Sequence, residues 1–240
     1  MATERHAEFP VTKWSMIQRA TAVPDPTSRG ALEDLCRAYW PPLYAFLRRA
    51  GNDPHTAKDL VQGYLARLLA REDLQRVGPD KGRFRSYLLA GLQHHLVSEE
   101  RRQLAQKRGG GATVISLAAD EAEALCGTAV ADAATPDLAF DRRWAETVLD
   151  RALLALEQEY LRRGKPEVYA TLKPTLAGDD GTDYASLGRA LGMTPGAVAV
   201  AVHRLRLRLR ELVRAEVAQT VGTATDLDEE MRSLQAILSA

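Results

Sequence analysis

Cysteine is nearly missing from this 240-residue chain. Cys36 and Cys126 stand far apart and outside any CxxC pattern, so neither a disulfide framework nor a cysteine-based zinc site is expected. No apolar run reaches the length of a membrane span, and none is predicted. The opening "MATERHAEFPVTKW" lacks the apolar core of a secretory signal, so a cytoplasmic location is the expectation. Spacings that mark common catalytic sites are lacking too. There is no HExxH, and "GGG" at 109–111 is not followed by the Lys-Ser/Thr of a phosphate-binding loop. His94 and His95 are adjacent and cannot share one helix face, and no nucleophile is paired with a base at a usable spacing. The expectation is a protein that is not an enzyme and holds no metal and no cofactor.

Net charge is also missing, with 32 Lys and Arg against 32 Asp and Glu. The zero hides a pattern. Ala31 to Arg108 carries 14 basic against 9 acidic residues, Gly109 to Asp150 carries 2 against 8, and Gly181 to Glu216 carries 6 against 3. Two basic segments flank an acidic one. Local distribution of charge, not its sum, decides whether a phosphate backbone is attracted.

Apolar periodicity of three and four residues dominates the chain. Leu32, Leu35, Tyr39, Leu43 and Phe46 form one helical stripe, which Pro41 and Pro42 should kink or split near Trp40. Asn52 or Asp53 can cap a second helix, with Pro54 in its first turn and Leu60, Tyr64, Leu65, Leu68 and Leu69 on its apolar face. "RFRSYLLAGLQHHLVSEERRQLAQKR" is a third helix with a basic end. Phe84 reads mainly as core, and Tyr39 and Trp40 as packing residues. Phe140, Trp144, Val148, Leu149 and Leu153 mark a fourth helix, and residues 167–177 another short one. Thr225 or Asp226 can cap a last helix carrying Leu227, Met231, Leu234 and Leu238. The fold class expected is all-α: two helical domains joined by a flexible acidic linker, the second containing a helix-turn-helix. The divisions are a leader over 1–28, a helical domain over 29–108, a linker over 109–136, a second domain over 137–217 and a C-terminal extension with a short helix over 218–240.

The stretch "LGMTPGAVAVAVHRLRLRLR" tests this reading, because from Ala197 it alternates with a period of two. As a strand, each face would change character midway, and a 14-residue half-buried strand is unusually long. As a helix, Val198, Val202, Leu205, Leu209 and Leu212 recur at spacings of 4, 3, 4 and 3, with Leu207 alone off the stripe. Ala, Leu and Arg are strong helix formers, so helix is expected. Ahead of it, Leu187 and Leu191 lie on a short helix that Gly192 can end with a positive φ, and Thr194 can cap the second helix with Pro195 at its first position. A short helix, a glycine turn and a capped second helix make helix-turn-helix spacing. An ordinary helical corner with solvated arginines is the plainer alternative.

Two separated segments resemble the sigma-70 class of bacterial RNA polymerase sigma factors, in the extracytoplasmic function (ECF) group. "AKDLVQGYLARLLARED" with "GRFRSYLLAGLQHHLVSEERRQ" is similar to region 2, and "YASLGRALGMTPGAVAVAVHRLRLRLRELV" to region 4. The resemblance implies partners: core RNA polymerase, through its β′ clamp and β flap, promoter DNA, and an anti-sigma factor or other regulator. Asp59, Gln62 and Arg67 would bind polymerase. Arg83, Arg85, Tyr87, His94, Arg101 and Arg102 would engage the −10 element, and Thr194, Gly196, Ala197, Val200, His203, Arg204 and Arg208 the −35 element. Gly63, His94, Ala199 and Ala201 depart from the family pattern, standing where it commonly has Glu, Asn, Lys and Arg. Two other classes remain open: a stand-alone helix-turn-helix regulator, which needs no first domain, and a helical adaptor that binds only protein.

Overall fold

A computed structural model describes residues 26–70, 83–106, 135–178 and 183–239. The expected leader and nearly all of the acidic linker lie outside the described residues. Among those described are eight α-helices, one 3₁₀ turn and no strand: α1 (Pro26–Arg49), α2 (Pro54–Ala70), α3 (Phe84–Gln106), α4 (Pro136–Arg162), α5 (Pro166–Leu172), α6 (Tyr184–Leu191), α7 (Pro195–Ala218) and α8 (Ala224–Leu238). No single helix among them is long and apolar enough to cross a membrane. The chain divides into two compact units, one holding residues up to Thr147 together with Val217 onward, the other Val148–Glu216.

The first unit is built on α1. Of the two expected outcomes, the split at Pro41 and Pro42 does not occur, and both prolines are buried inside the continuous helix. They leave two carbonyls one turn earlier without their amide donors, but Tyr39, Leu43, Tyr44 and Leu47 around them are all core residues. Burial of that size outweighs two backbone hydrogen bonds. Gly51, at φ 95°, turns the chain after α1. Both proposed caps then act, in different ways. Asn52 donates its side-chain amide to the Leu47 carbonyl at 3.0 Å. Asp53 is the N-cap of α2, accepting from the amides of His55 and Thr56 at 3.0 Å each.

α3 packs on α2 through a close helix approach. The Tyr64 hydroxyl donates to the Leu88 carbonyl at 2.9 Å. A Cβ on Gly91 would run into the Tyr64 ring and hydroxyl, so any other residue there has to displace that ring. Phe84, Leu88, Leu92 and His95 form the inward stripe of α3, and Phe84 meets the Tyr39 ring edge-on with centroids 5.2 Å apart. Leu227, Glu230 and Leu234 are the buried stripe of α8. Its cap is Thr223 rather than Thr225: Thr223 Oγ1 accepts from the Asp226 amide at 3.1 Å and donates to the Asp226 carboxylate at 2.7 Å. The Asp226 carboxylate thus orients the capping hydroxyl of Thr223.

The second unit has its own core of Leu156, Tyr169, Leu172, Val198, Val202 and Leu205, with Leu187, Leu191, Leu209 and Leu212 packed around it. The alternating stretch is helical throughout α7. The expected helix over 167–177 is shorter, ending at Leu172, and continues as a 3₁₀ turn over Lys173–Leu176. Pro174 has no N–H to continue the α-helical ladder, so the chain tightens instead. Arg206 reaches the open carbonyls after this turn, donating to Gly178 at 3.0 Å and to Thr175.

Candidate nucleic-acid interface

The join between α6 and α7 is set by three local devices. Asp183 caps α6, accepting from the amides of Ala185 and Ser186 at 3.0 Å each, and these bonds hold its carboxyl below the usual range. Gly192 ends α6 in the left-handed conformation, at φ 65°. Thr194 Oγ1 then accepts from the Ala197 amide at 3.2 Å, capping α7. The two helices meet at 95°. Gly188 makes the turn tight: a Cβ there would lie 2.6 Å from the Met193 carbonyl oxygen. The Gly188 carbonyl itself accepts from the Met193 amide at 2.8 Å.

With Val198, Val202 and Leu205 turned inward, the opposite face of α7 is fixed by the helical repeat of about 100° per residue. Gly196, Val200, His203, Arg204 and Leu207 fall on it, and all are exposed. Val200 is 50% exposed and Leu207 48%, so the residue off the apolar stripe is an outward one. Thr194 and Ala197 lie exposed at the near end. Of the second-unit residues expected to meet DNA, this brings together Thr194, Gly196, Ala197, Val200, His203 and Arg204. Arg208 turns aside into an ion pair, at 2.6 Å from both Glu159 and Glu211. Its hydrogen bonds hold the Glu159 carboxyl below the usual carboxylate range.

The first-unit residues divide in two. His94, Arg101 and Arg102 are exposed on α3, Arg102 lying 3.4 Å from Glu99. Tyr87 is half-buried, its ring 6.2 Å from that of Phe84. His95, next to His94, is turned inward and only 6% exposed, as expected for neighbours on one helix. Arg83 and Arg85 at the start of α3 are held by α8. Arg83 pairs with Glu229 at 3.1 Å. Arg85 is 7% exposed and Glu230 2%. The Arg85 guanidinium donates Nε to Glu230 at 3.0 Å and Nη1 to Asp141 at 2.5 Å, and lies 4.4 Å from the Trp144 ring centroid. In this conformation Arg85 presents no guanidinium edge to solvent for a phosphate. Burial raises the Asp141 carboxyl above its ordinary range in spite of Arg85. A cavity of about 380 Å³ beside this network is lined by Arg83, Gln93, Asp137 and Asp141. Its walls mix both signs of charge and do not select an anion.

Asp59 and Gln62 are exposed and three residues apart, on neighbouring positions of α2, while Arg67 is half-buried further along. No group of three or more His, Cys, Asp or Glu suited to a metal ion occurs among the described residues.

The hold of α8 on α3 was missed by sequence reasoning, although a signal for it was present. Glu230 stands three residues after Leu227 and four before Leu234, in the middle of an apolar stripe. A carboxylate there must be buried, and a buried carboxylate requires a cation. No protein-family model matches the chain, and neither a curated protein nor a solved structure does.

Proposed function

We propose that this protein is a sigma factor of the ECF group, which binds core RNA polymerase and directs it to promoters. On this reading the second unit holds the −35 duplex and α2–α3 serve the polymerase clamp and the −10 element. Nucleotide addition belongs to the polymerase, and the chain supplies recognition in the cytoplasm. The observation that carries the reading is the α6–Gly192–α7 pair, read as a helix-turn-helix. Its long helix turns an exposed face outward that carries His203 and Arg204, and from Thr194 to Arg210 the sequence holds no Asp or Glu. A duplex needs such a face, because carboxylates there would repel phosphates and arginines attract them. The likeness of the α2–α3 segment to region 2 separates this reading from a regulator with a helix-turn-helix alone.

Reconstitution with core polymerase on a promoter library is the test. Wild-type protein should bind core and redirect start sites. Arg204→Ala should weaken duplex binding and lower its salt slope by about 1, as loss of one phosphate contact does, with core binding unchanged. Asp59→Ala should do the reverse. Folded protein that neither binds core nor alters start-site choice would refute the proposal.

A further inference from the structure

Resting on that reading, we infer that the outward face of α7 recognises duplex DNA through thymine 5-methyl groups, with Val200 as the contacting side chain. Residues 195–202 read P-G-A-V-A-V-A-V, and none has a side chain able to hydrogen-bond a base edge. The leading turns of a helix in the major groove are the ones that meet base edges. With no polar side chain in those turns, the direct readout left to them is apolar contact, and in the major groove the thymine methyl is the group that offers it.

Three features of the face fit this occupant. Val200 is 50% exposed, on the face opposite the buried Val198 and Val202, and is not part of the second unit's core. Gly196 is not required by the fold. Its φ is not positive, and a Cβ built there meets nothing within 4 Å. Alanine is the better helix former, so the bare position favours close approach from outside. Arg204, one turn beyond Val200, is exposed and stands beside the apolar patch. It is placed to reach a phosphate while Val200 faces the groove floor. Gly196 to Arg204 spans eight residues, about 12 Å along the helix, comparable to the width of the major groove. A purely apolar partner would leave Arg204 without a counter-charge.

The test selects duplexes from a random library with the full chain bound to core polymerase, then replaces each thymine of the enriched duplex by deoxyuridine, which removes only the methyl. Wild-type affinity should fall about fourfold for each contacted methyl. Val200→Ala changes an exposed side chain and should not lower the melting temperature, alanine being the better helix former, while binding the thymine and uracil duplexes alike. Gly196→Ala should stabilise α7 and yet weaken binding to both. Clear enrichment with equal affinity for thymine and uracil duplexes would overturn methyl readout and leave duplex binding standing. Full discrimination retained by Val200→Ala would overturn the assignment to Val200. Absence of any duplex enrichment would overturn the underlying sigma-factor reading itself, which sets it apart from the other two results.

Discussion

Replacing Glu230 by Ala should unfold the first unit far more easily than any loss of apolar contact at that position suggests. Glu230 is 2% exposed and meets Arg85 twice, at Nε and Nη2, both at 3.0 Å. Its removal leaves Arg85, itself 7% exposed, with a single carboxylate, Asp141, and the face of Trp144. Breaking a buried pair by deleting one partner costs about 3–5 kcal/mol. Asp141 keeps one of the guanidinium contacts, so the lower end, about 3 kcal/mol, is expected. Removing all three charges with apolar side chains of similar size, as in Arg85→Met with Asp141→Leu and Glu230→Leu, should recover most of that loss, because no ion of the network is then left desolvated without its partner. Urea denaturation followed by tryptophan fluorescence reads this unit selectively, since all three tryptophans precede Val148. A loss below about 1 kcal/mol for Glu230→Ala would refute the reasoning, since that is the range of an exposed pair. So would a triple variant as unstable as the single one.

Three further perturbations address other parts of the molecule. Gly188→Ala forces a Cβ to 2.6 Å from the Met193 carbonyl and should break the α6–α7 turn, read as a lower melting temperature and faster amide exchange at Met193; an unchanged melting temperature would show that the turn can open. Thr194→Ala removes the acceptor for the Ala197 amide and should cost about 1 kcal/mol, with Thr194→Ser restoring it. The His95 ring lies tilted beside that of Tyr64, with Nδ1 enclosed and unpaired; burial pushes its pKa below 6.5, Glu99 opposes that shift and Arg67 and Arg102 add to it. The unfolded chain therefore takes the proton first, and stability complete above about pH 6.5 should fall as pH drops through that value. In His95→Phe this part of the pH dependence should vanish, and an identical slope in both proteins would exclude His95 as its source.

Where a local pattern decided the outcome, the sequence was a sufficient guide. The stripe of Val198, Val202 and Leu205 separates helix from strand in α7 because only the helical repeat places all three inside, with Leu207 outside. The turn devices were legible for the same reason: Gly192, Thr194 and Pro195 act on backbone within a few residues of themselves. Local propensity at Pro41 and Pro42 allows a kink or a break, and burial of the surrounding aromatic and leucine side chains is what excludes the break. The tie between Arg85 and Glu230 spans 145 residues, a separation that no periodicity reports. Arg85 accordingly reads as a free basic residue in the sequence and is a buried ion in the fold. Of the candidate interface, the outward face of α7 could be drawn from spacing alone. Which of its arginines stay on that face could not, since Arg206 and Arg208 are claimed by carbonyls and carboxylates from other segments.

The first unit is discontinuous in sequence, and this bears on how the protein is made. Residues up to Thr147 emerge from the ribosome before the segment from Val217 that belongs with them, and the whole of Val148–Glu216 comes between. Until Glu230 has been synthesised, Arg85 lacks its buried counter-ion and the site of Leu227 and Leu234 stays uncovered. The second unit is contiguous, so all of its residues are in place before α8 has been made. A polypeptide interrupted before α8 would therefore lack the carboxylate that Arg85 is buried against.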